Sequence, residues 1–377
     1  MPKLRFTYLF QVILLAVLAG SLMVSCSRRH KVSVCDEIVL GASSVGTKAL
    51  VSDKPSLVSL SYTGHTGFGV YGYKSIVSRT YEYRQFENTL VYPNADNENA
   101  TWSYSPRRYW DSDPDASYQF GAYWPYLNGT GATTVSETGK VLTINDIPNW
   151  QTADDGKDFL VAERRGKYYD GAFSGGYVNF TFEHILANIC IRGYYIGIQD
   201  NPVNILSMEL SGSDMLTTNG NADYTLPFGG QENPTKGFGT VTTGDGSHTL
   251  LPDTDPVTLP TTSWYNDDAN NPNQYEYQDI CSWLVVPSTG WQNLDLAVTY
   301  SIGDLNQNPA PTPIPAAKVK ISLSTTISNV VQAGTIYPQY RYMVTLKFNS
   351  ATKGIEVESI KVADWEDVEI STEVYNW

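Results

Sequence analysis

Cysteine is scarce, with four in 377 residues, at positions 26, 35, 190 and 281. So sparse and widely spaced a set forms neither a disulfide framework nor a zinc motif. The four histidines, His30, His65, His184 and His248, are scattered and offer no ligand spacing. Positive charge is also short: 25 Lys and Arg stand against 39 Asp and Glu, a formal net charge of −14. Such a chain lacks the basic patch that nucleic-acid phosphates require. G-x-S-x-G and H-E-x-x-H are absent, so neither a hydrolase elbow nor a zincin helix is signalled. Apolar residues at helical spacing are missing after the first residues, and there is no short-period repeat. Paired carboxylates for glycoside hydrolysis are too easily found in an acidic chain to point anywhere. The expectation is a protein without catalytic residues, cofactor or bound metal.

Two motifs look like sites and fail in context. GFGVYG (Gly67–Gly72) spells the dinucleotide fingerprint, whose glycines must turn a strand into a helix carrying the pyrophosphate on its N-terminus. The next residues, YKSIVSRTYEYRQ, alternate and are β-branched and aromatic, so a glycine-spaced strand with Phe68, Val70 and Gly72 on one face is expected. Asp111, Asp113 and Asp115 open like a calcium loop. Ala116 and Ala122 occupy the positions of its Gly and Glu, and Pro114 stiffens the turn, so an acidic surface turn is the better reading.

At the start, Lys3 and Arg5 precede a short apolar run, VILLAVLAG (Val12–Gly20), and then SLMVSC (Ser21–Cys26). A positive start, a short apolar stretch and small residues before a cut site form a secretory signal. Gln11 interrupts the run, which falls short of the roughly 20 apolar residues of a spanning helix. Cys26 after Val24-Ser25 resembles the bacterial lipobox, with Met23 where leucine is usual. In a lipobox the cysteine is lipidated and becomes the new N-terminus, anchoring the protein without spanning the membrane. An ordinary signal cut nearby, or an uncut anchor, is the alternative. Removing residues 1–25 leaves 352 of the 377 residues, a length that fits two domains. The remaining chain has 23 basic residues (all but Lys3 and Arg5) against 39 acidic ones, a formal charge of −16.

The rest of the composition is that of β-structure: 26 Tyr, 9 Trp, and much Thr, Val and Gly. Alternating segments recur, among them FGVYGY, SYQFGAYWPY, YVNFTFEHI, WLVVPS, LDLAVTYSI, KVKISLST, YRYMVTLKF and GIEVESIKVADW, with turn-rich stretches between them. Many short strands separated by turns indicate sandwiches rather than a parallel sheet. Proline at every second position from 309 to 315 marks Asn306–Lys318 as an extended loop. Cys190, within FTFEHILANICIRG, reads as a small core residue. A domain junction is expected near His184–Ile191, where one series of strands ends and another begins.

Taken in order, these segments resemble the Bacteroidetes fimbrillin (Mfa-like, type V pilin) family. The features that carry the resemblance are the lipobox, a first strand and loop DEIVLGASSVGTKAL (Asp36–Leu50), FGVYGY, and YWDSDPDASYQFGAYWPY. DFLVAERRG, YVNFTFEHILANICI, AGTIYPQYRYMVTL and ESIKVADWED complete the series. The resemblance implies an all-β fold of two transthyretin-like β-sandwich domains in tandem after a lipoprotein signal peptide. The segments are then a signal peptide at 1–25, a lipidated tether at 26–35, an N-terminal sandwich at 36–184 and a C-terminal sandwich at 185–377. His184 marks the junction.

It also implies a structural or adhesive subunit of cell-surface fimbriae at the outer membrane, exported as a lipoprotein through Cys26. In such pilins a trypsin-like protease cuts after a basic residue beyond the first strand. Loss of that strand opens a groove which a strand of another subunit fills, by β-strand addition. Here Ile38 and Leu40 alternate with Glu37 and Val39, as a detachable strand should. Lys48, followed by Ala49, holds the family's usual arginine position, and Lys54 is a weaker alternative. EDVEISTEVYNW places Val368, Ile370, Thr372 and Val374 on one face, as a donor strand requires. The rival reading for both ends is a first and last strand that never exchange. The rival function is a lipid-anchored surface protein that binds host or bacterial glycans through its aromatics and does not polymerise. YWDSDPDASYQFGAYWPY and SWYNDDANNPNQYEY are the stretches to inspect for that role.

Overall fold

The computed structural model describes residues 36–44, 67–76, 78, 81–96, 101–152, 158–196, 202–216, 221–230, 235–239, 241, 243–259, 277–327, 330–349 and 354–364. Among them the chain forms twenty-three β-strands, numbered in chain order, and no α-helix. The protein is all-β.

One sheet runs in the order β1 (Val39–Ser44), β10 (Tyr177–His184), β9 (Leu160–Lys167), β5 (Ala116–Trp124), β2 (Phe68–Ile76), β3 (Tyr81–Pro93), β4 (Trp102–Tyr104). A second is β14 (Gly237–Phe238), β13 (Asn221–Pro227), β7 (Val141–Pro148), β6 (Thr133–Ser136). A third is β23 (Gly354–Asp364), β22 (Tyr340–Asn349), β11 (Ala187–Ile196), β17 (Gln278–Val285), β8 (Gln151–Thr152). The fourth is β15 (Thr243–Leu251), β12 (Val203–Leu216), β18 (Leu294–Ile302), β19 (Ile314–Ile321), with β16 (Val257–Leu259) also on β12. A hairpin, β20 (Ser324–Ile327) and β21 (Val330–Ala333), stands apart. Pairing is antiparallel except between β1 and β10 and between β11 and β22.

Side-chain alternation explains the layers. In β10, YVNFTFEH buries Val178, Phe180, Phe182 and His184 and turns Tyr177, Asn179 and Thr181 outward, the period of two that one buried face demands. β2 buries both faces. Phe68 and Val70 enter an aromatic core enclosed by the seven-stranded sheet, where the Phe68 ring lies 4.9 Å from Trp102 and 5.4 Å from Phe182. Tyr71 and Tyr73 enter a second core against Leu142, Ile144, Tyr224 and Leu226 of the second sheet. The glycines of GFGVYG permit this packing. A Cβ at Gly69 would lie 2.3 Å from the Tyr123 ring, and one at Gly72 2.8 Å from Phe120 and Phe86. The chain continues from β2 into another strand, β3, and not into a helix, as the alternation of the sequence indicates.

The third and fourth sheets face each other across a separate core. Ile189, Ile191, Val344, Leu346 and Phe348 come from one side, and Met208, Leu210, Leu296, Val298 and Tyr300 from the other. Two segments cross the chain's midpoint. β13 pairs with β7, and β8 pairs with β17, so the second sheet takes two strands from each half of the chain and the third sheet takes β8 from the first half.

One expectation needs correction. The proline-rich segment Asn306–Lys318 is a loop only as far as Pro313, because β19 begins at Ile314 and takes in Pro315. β19 is a sheet edge, where a missing N–H costs no ladder bond. The register with β18 also shifts between Val298 and Tyr300, opposite this proline.

Candidate functional site

β1 is short, apolar on one side and held on one flank. Ile38 and Leu40 are fully buried in the aromatic core, while Glu37 and Val39 are only half-buried. The alternation required of an inserted strand is therefore present. Along Val39–Ser44 the backbone pairs with Tyr177–Phe182 of β10 in parallel register. On the opposite flank no described strand pairs with Val39–Ser44.

Only the residues just before β1 are bound there, to the segment after β4. Ile38 N–H donates to the Arg108 carbonyl at 2.9 Å, and Trp110 N–H donates to the Asp36 carbonyl at 3.0 Å. The Tyr104 hydroxyl donates to the Ile38 carbonyl at 2.6 Å. Burial pushes that hydroxyl up to about 12. An Arg107–Glu37 ion pair at 3.2 Å lies on the exposed side. These contacts draw the two ends of the seven-stranded sheet together and close it around its core. A parallel ladder is slightly weaker per residue than an antiparallel one, and here it is the principal tie. The arrangement is a strand seated in an apolar slot and, among the described residues, paired with a strand on one flank.

The floor beneath β1 is aromatic. Trp110 stacks on Tyr168 at 4.7 Å, meets Tyr118 edge-on at 4.7 Å, and donates its indole N–H to the Gly176 carbonyl at 3.3 Å. Nothing periodic in SYSPRRYW distinguishes Tyr104, and Trp110 stands out in the sequence only as part of YWDSDPDASYQFGAYWPY. Their importance comes largely from hydrogen bonds to residues 66 positions away, Tyr104 to Ile38 and Trp110 to Gly176.

Other residues singled out from sequence have plain structural roles. His184, at the end of β10, is buried, and its Nδ1 lies 2.9 Å from Oδ1 of the fully buried Asp158. The pair joins the segments DFLVA and FEHI just before β11 begins. Cys190 is fully buried, Cys281 is partly buried against the core, and both are free thiols whose pKa burial pushes upward. Asp111 accepts from Asp113 N–H and pairs with Lys74 at 2.7 Å. Asp113 in turn accepts from Asp115 N–H, the carboxylate pattern of an acidic turn. No group of three His, Cys, Asp or Glu that could hold a metal occurs among the described residues. Cys26, Cys35, Lys48, Ala49, Lys54, Val368, Ile370, Thr372 and Val374 lie outside the described residues. In YWDSDPDASYQFGAYWPY, Trp110, Tyr118, Phe120, Tyr123 and Trp124 are core residues, and Tyr109 is the exposed ring at 47%.

This geometry defines an all-β scaffold with a marginally tied first strand. A model of the fimbrillin-like family matches residues 57–365, and the chain belongs to that family. The family is one of structural fimbrial and adhesion proteins rather than enzymes. The match begins beyond β1. No curated protein matches the sequence. Among solved structures, a fimbrial protein from Bacteroides vulgatus is 17% identical, with 87% of this chain and 99% of that one covered and a TM-score of 0.50. A candidate cell adhesion protein from Bacteroides uniformis is 17% identical over 87% and 98% of the two chains, with a TM-score of 0.44. The fimbrial anchor protein Mfa2 from Porphyromonas gingivalis is 11% identical over 88% and 98%, with a TM-score of 0.29. The first of these shows a shared fold.

Proposed function

We propose that the chain is a structural or adhesive subunit of a cell-surface fimbria, exported as an outer-membrane lipoprotein through Cys26 and assembled by strand exchange. The protease cuts after Lys48, before Ala49. β1 then leaves, and the strand bearing Val368, Ile370, Thr372 and Val374 of a neighbouring subunit takes its place. The two sandwiches divide at His184–Ile185 and share β8 and β13 across that division.

The observation that supports this reading is the seat of β1: the buried Ile38 and Leu40, one parallel ladder and a second flank that no described strand pairs. Lys48 lies four positions beyond Ser44, the last residue of β1, close enough for a cut there to release the strand. The test is peptide complementation. Protein cut after Lys48 is mixed with a labelled peptide of residues 366–377 and binding is read by fluorescence anisotropy. Saturable binding to cut protein and none to uncut protein is expected. Equal binding to both, or to neither, contradicts strand exchange. The glycan-binding reading loses support in YWDSDPDASYQFGAYWPY from the burial of Trp110, Tyr118, Phe120, Tyr123 and Trp124, while in SWYNDDANNPNQYEY only Tyr277 is among the described residues and it is exposed. A glycan pull-down with Tyr109→Ala, which leaves the core intact, separates the two.

A further inference from the structure

The outward face of the third sheet is polar and yet buried. Ile189 and Ile191 of β11 point into the core shared with the fourth sheet, so Asn188, Cys190, Arg192 and Tyr194 alternate to the other side. In register with the first three stand Arg341, Met343 and Thr345 of β22, and Leu284, Ser282 and Asp279 of β17. Asn188, Cys190, Arg192 and Thr345 are 6%, 0%, 5% and 0% exposed.

A buried guanidinium is costly unless a negative group pairs it. The described partners of Arg192 are both neutral. Its Nε donates to the Thr345 hydroxyl at 3.0 Å, and its guanidinium carbon lies 4.1 Å from the centroid of the Tyr277 ring. With Nε engaged and one face against the ring, the two terminal nitrogens are the fork that Arg192 can offer to a further group. The second guanidinium, Arg341, donates from Nη2 to the Cys190 Sγ at 3.2 Å, and its Nε is buried with no partner among the described residues. Cys190 stands between the two in register, since Arg341 lies opposite Asn188. Burial raises the pKa of the Cys190 thiol, so the sulfur stays protonated and supplies no negative charge. The carboxylate at hand is Asp279. Its Oδ2 is 4.0 Å from Arg341 Nη2, too long for a hydrogen bond, and its side chain is 67% exposed, where water screens it. Glu358 is engaged by the Tyr194 hydroxyl at 2.8 Å. Two guanidiniums therefore stand against one loosely placed carboxylate, in a chain where acidic residues outnumber basic ones 39 to 25.

We propose that Arg192 and Arg341 form an anion-binding site on the outward face of the third sheet, taking an oxyanion group, a carboxylate or a sulfate. The terminal nitrogens of Arg192 match the spacing of two oxyanion oxygens, and Arg341 supplies a second positive charge across Cys190. Thr345 and Tyr277 fix the Arg192 side chain beforehand, so little ordering is left to binding. The site uses none of the groups around β1 and stands independently of strand exchange.

The test is equilibrium dialysis of the uncut chain, in chloride buffer, against labelled sulfate and labelled acetate. A single saturable site for at least one of these anions is expected, and the tighter of the two tells a sulfate ligand from a carboxylate. Arg341→Gln should weaken binding by about tenfold, the usual effect of losing one charged partner. Asp279→Asn should tighten it several-fold, because a competing negative charge is gone. Near-ultraviolet circular dichroism should match the parent in both. Asp279 is at the solvent edge, so that variant decides the matter even where Arg341→Gln does not fold. A parent protein that takes up neither anion, an Arg341→Gln protein that binds as the parent does, or an Asp279→Asn protein that binds no more tightly overturns the proposal.

Discussion

At the residue scale, one hydroxyl and one ring mark how β1 is seated. Tyr104 donates across the closing seam to the Ile38 carbonyl. Tyr104→Phe should lower stability by about 0.5–1.5 kcal/mol, the usual net value of one hydrogen bond. Denaturant midpoints measure it. The elevated hydroxyl also has a pH consequence. Tyr104 and Tyr118 are both pushed up to about 12 by burial, from an ordinary 10. The fold favours their protonated form, so this stability is complete below pH 10 and falls as pH rises from 10 toward 12. Thermal unfolding between pH 9 and 12 should show that decline, and Tyr104→Phe should flatten part of it. A flat profile in the parent protein would count against it. Phe68, fully buried among Trp102, Phe180 and Phe182, is the costlier position. Phe68→Ala should cost about 3–5 kcal/mol by the same measurement. Tyr177→Ala, at a side chain 50% exposed, should stay within about 0.5 kcal/mol.

At the element scale, β1 is defined by its alternation and its single long ladder. Leu40→Asp puts an unpaired carboxylate into the aromatic core, a cost of several kcal/mol, whereas Val39→Asp places one at the surface. Hydrogen exchange of the β10 amides separates the two, with large loss of protection expected for Leu40→Asp and little for Val39→Asp. Equal loss would mean that β1 is not seated as described. Much at this scale was legible in the sequence. Period-two patterns announced β2, β5, β10, β18 and β22, and Ile38 and Leu40 already stood on one face. The illegible parts depend on distant partners. SYSPRRYW reads as a turn, and only its bonds to Asp36 and Ile38 make it the seam that closes the sheet. Pro315 argues locally for a loop, and the edge position of β19 overrides that. Asp158 and His184 stand in segments that carry the family resemblance, but their pairing appears only when β9 and β10 lie side by side.

At the scale of the whole molecule, composition and charge pointed away from nucleic acid as a partner and from helical and catalytic classes. The order of segments indicated the fimbrillin-like family, to which the chain belongs. The interleaving of β8 and β13 could not be read locally, since a two-residue strand such as β8 carries no signal of its own. That interleaving ties the two halves through shared sheets and through Leu284 and Val286, which join the core of Tyr71, Tyr123 and Tyr224. The molecule is thus a coupled all-β scaffold.

The central claim is that this chain is a precursor that loses β1 before it assembles. N-terminal sequencing and intact mass of the protein recovered from the cell surface test it most directly. Assembled material should begin at Ala49, with a mass matching residues 49–377. Assembled material that begins at a lipidated Cys26, with β1 retained, would contradict the account.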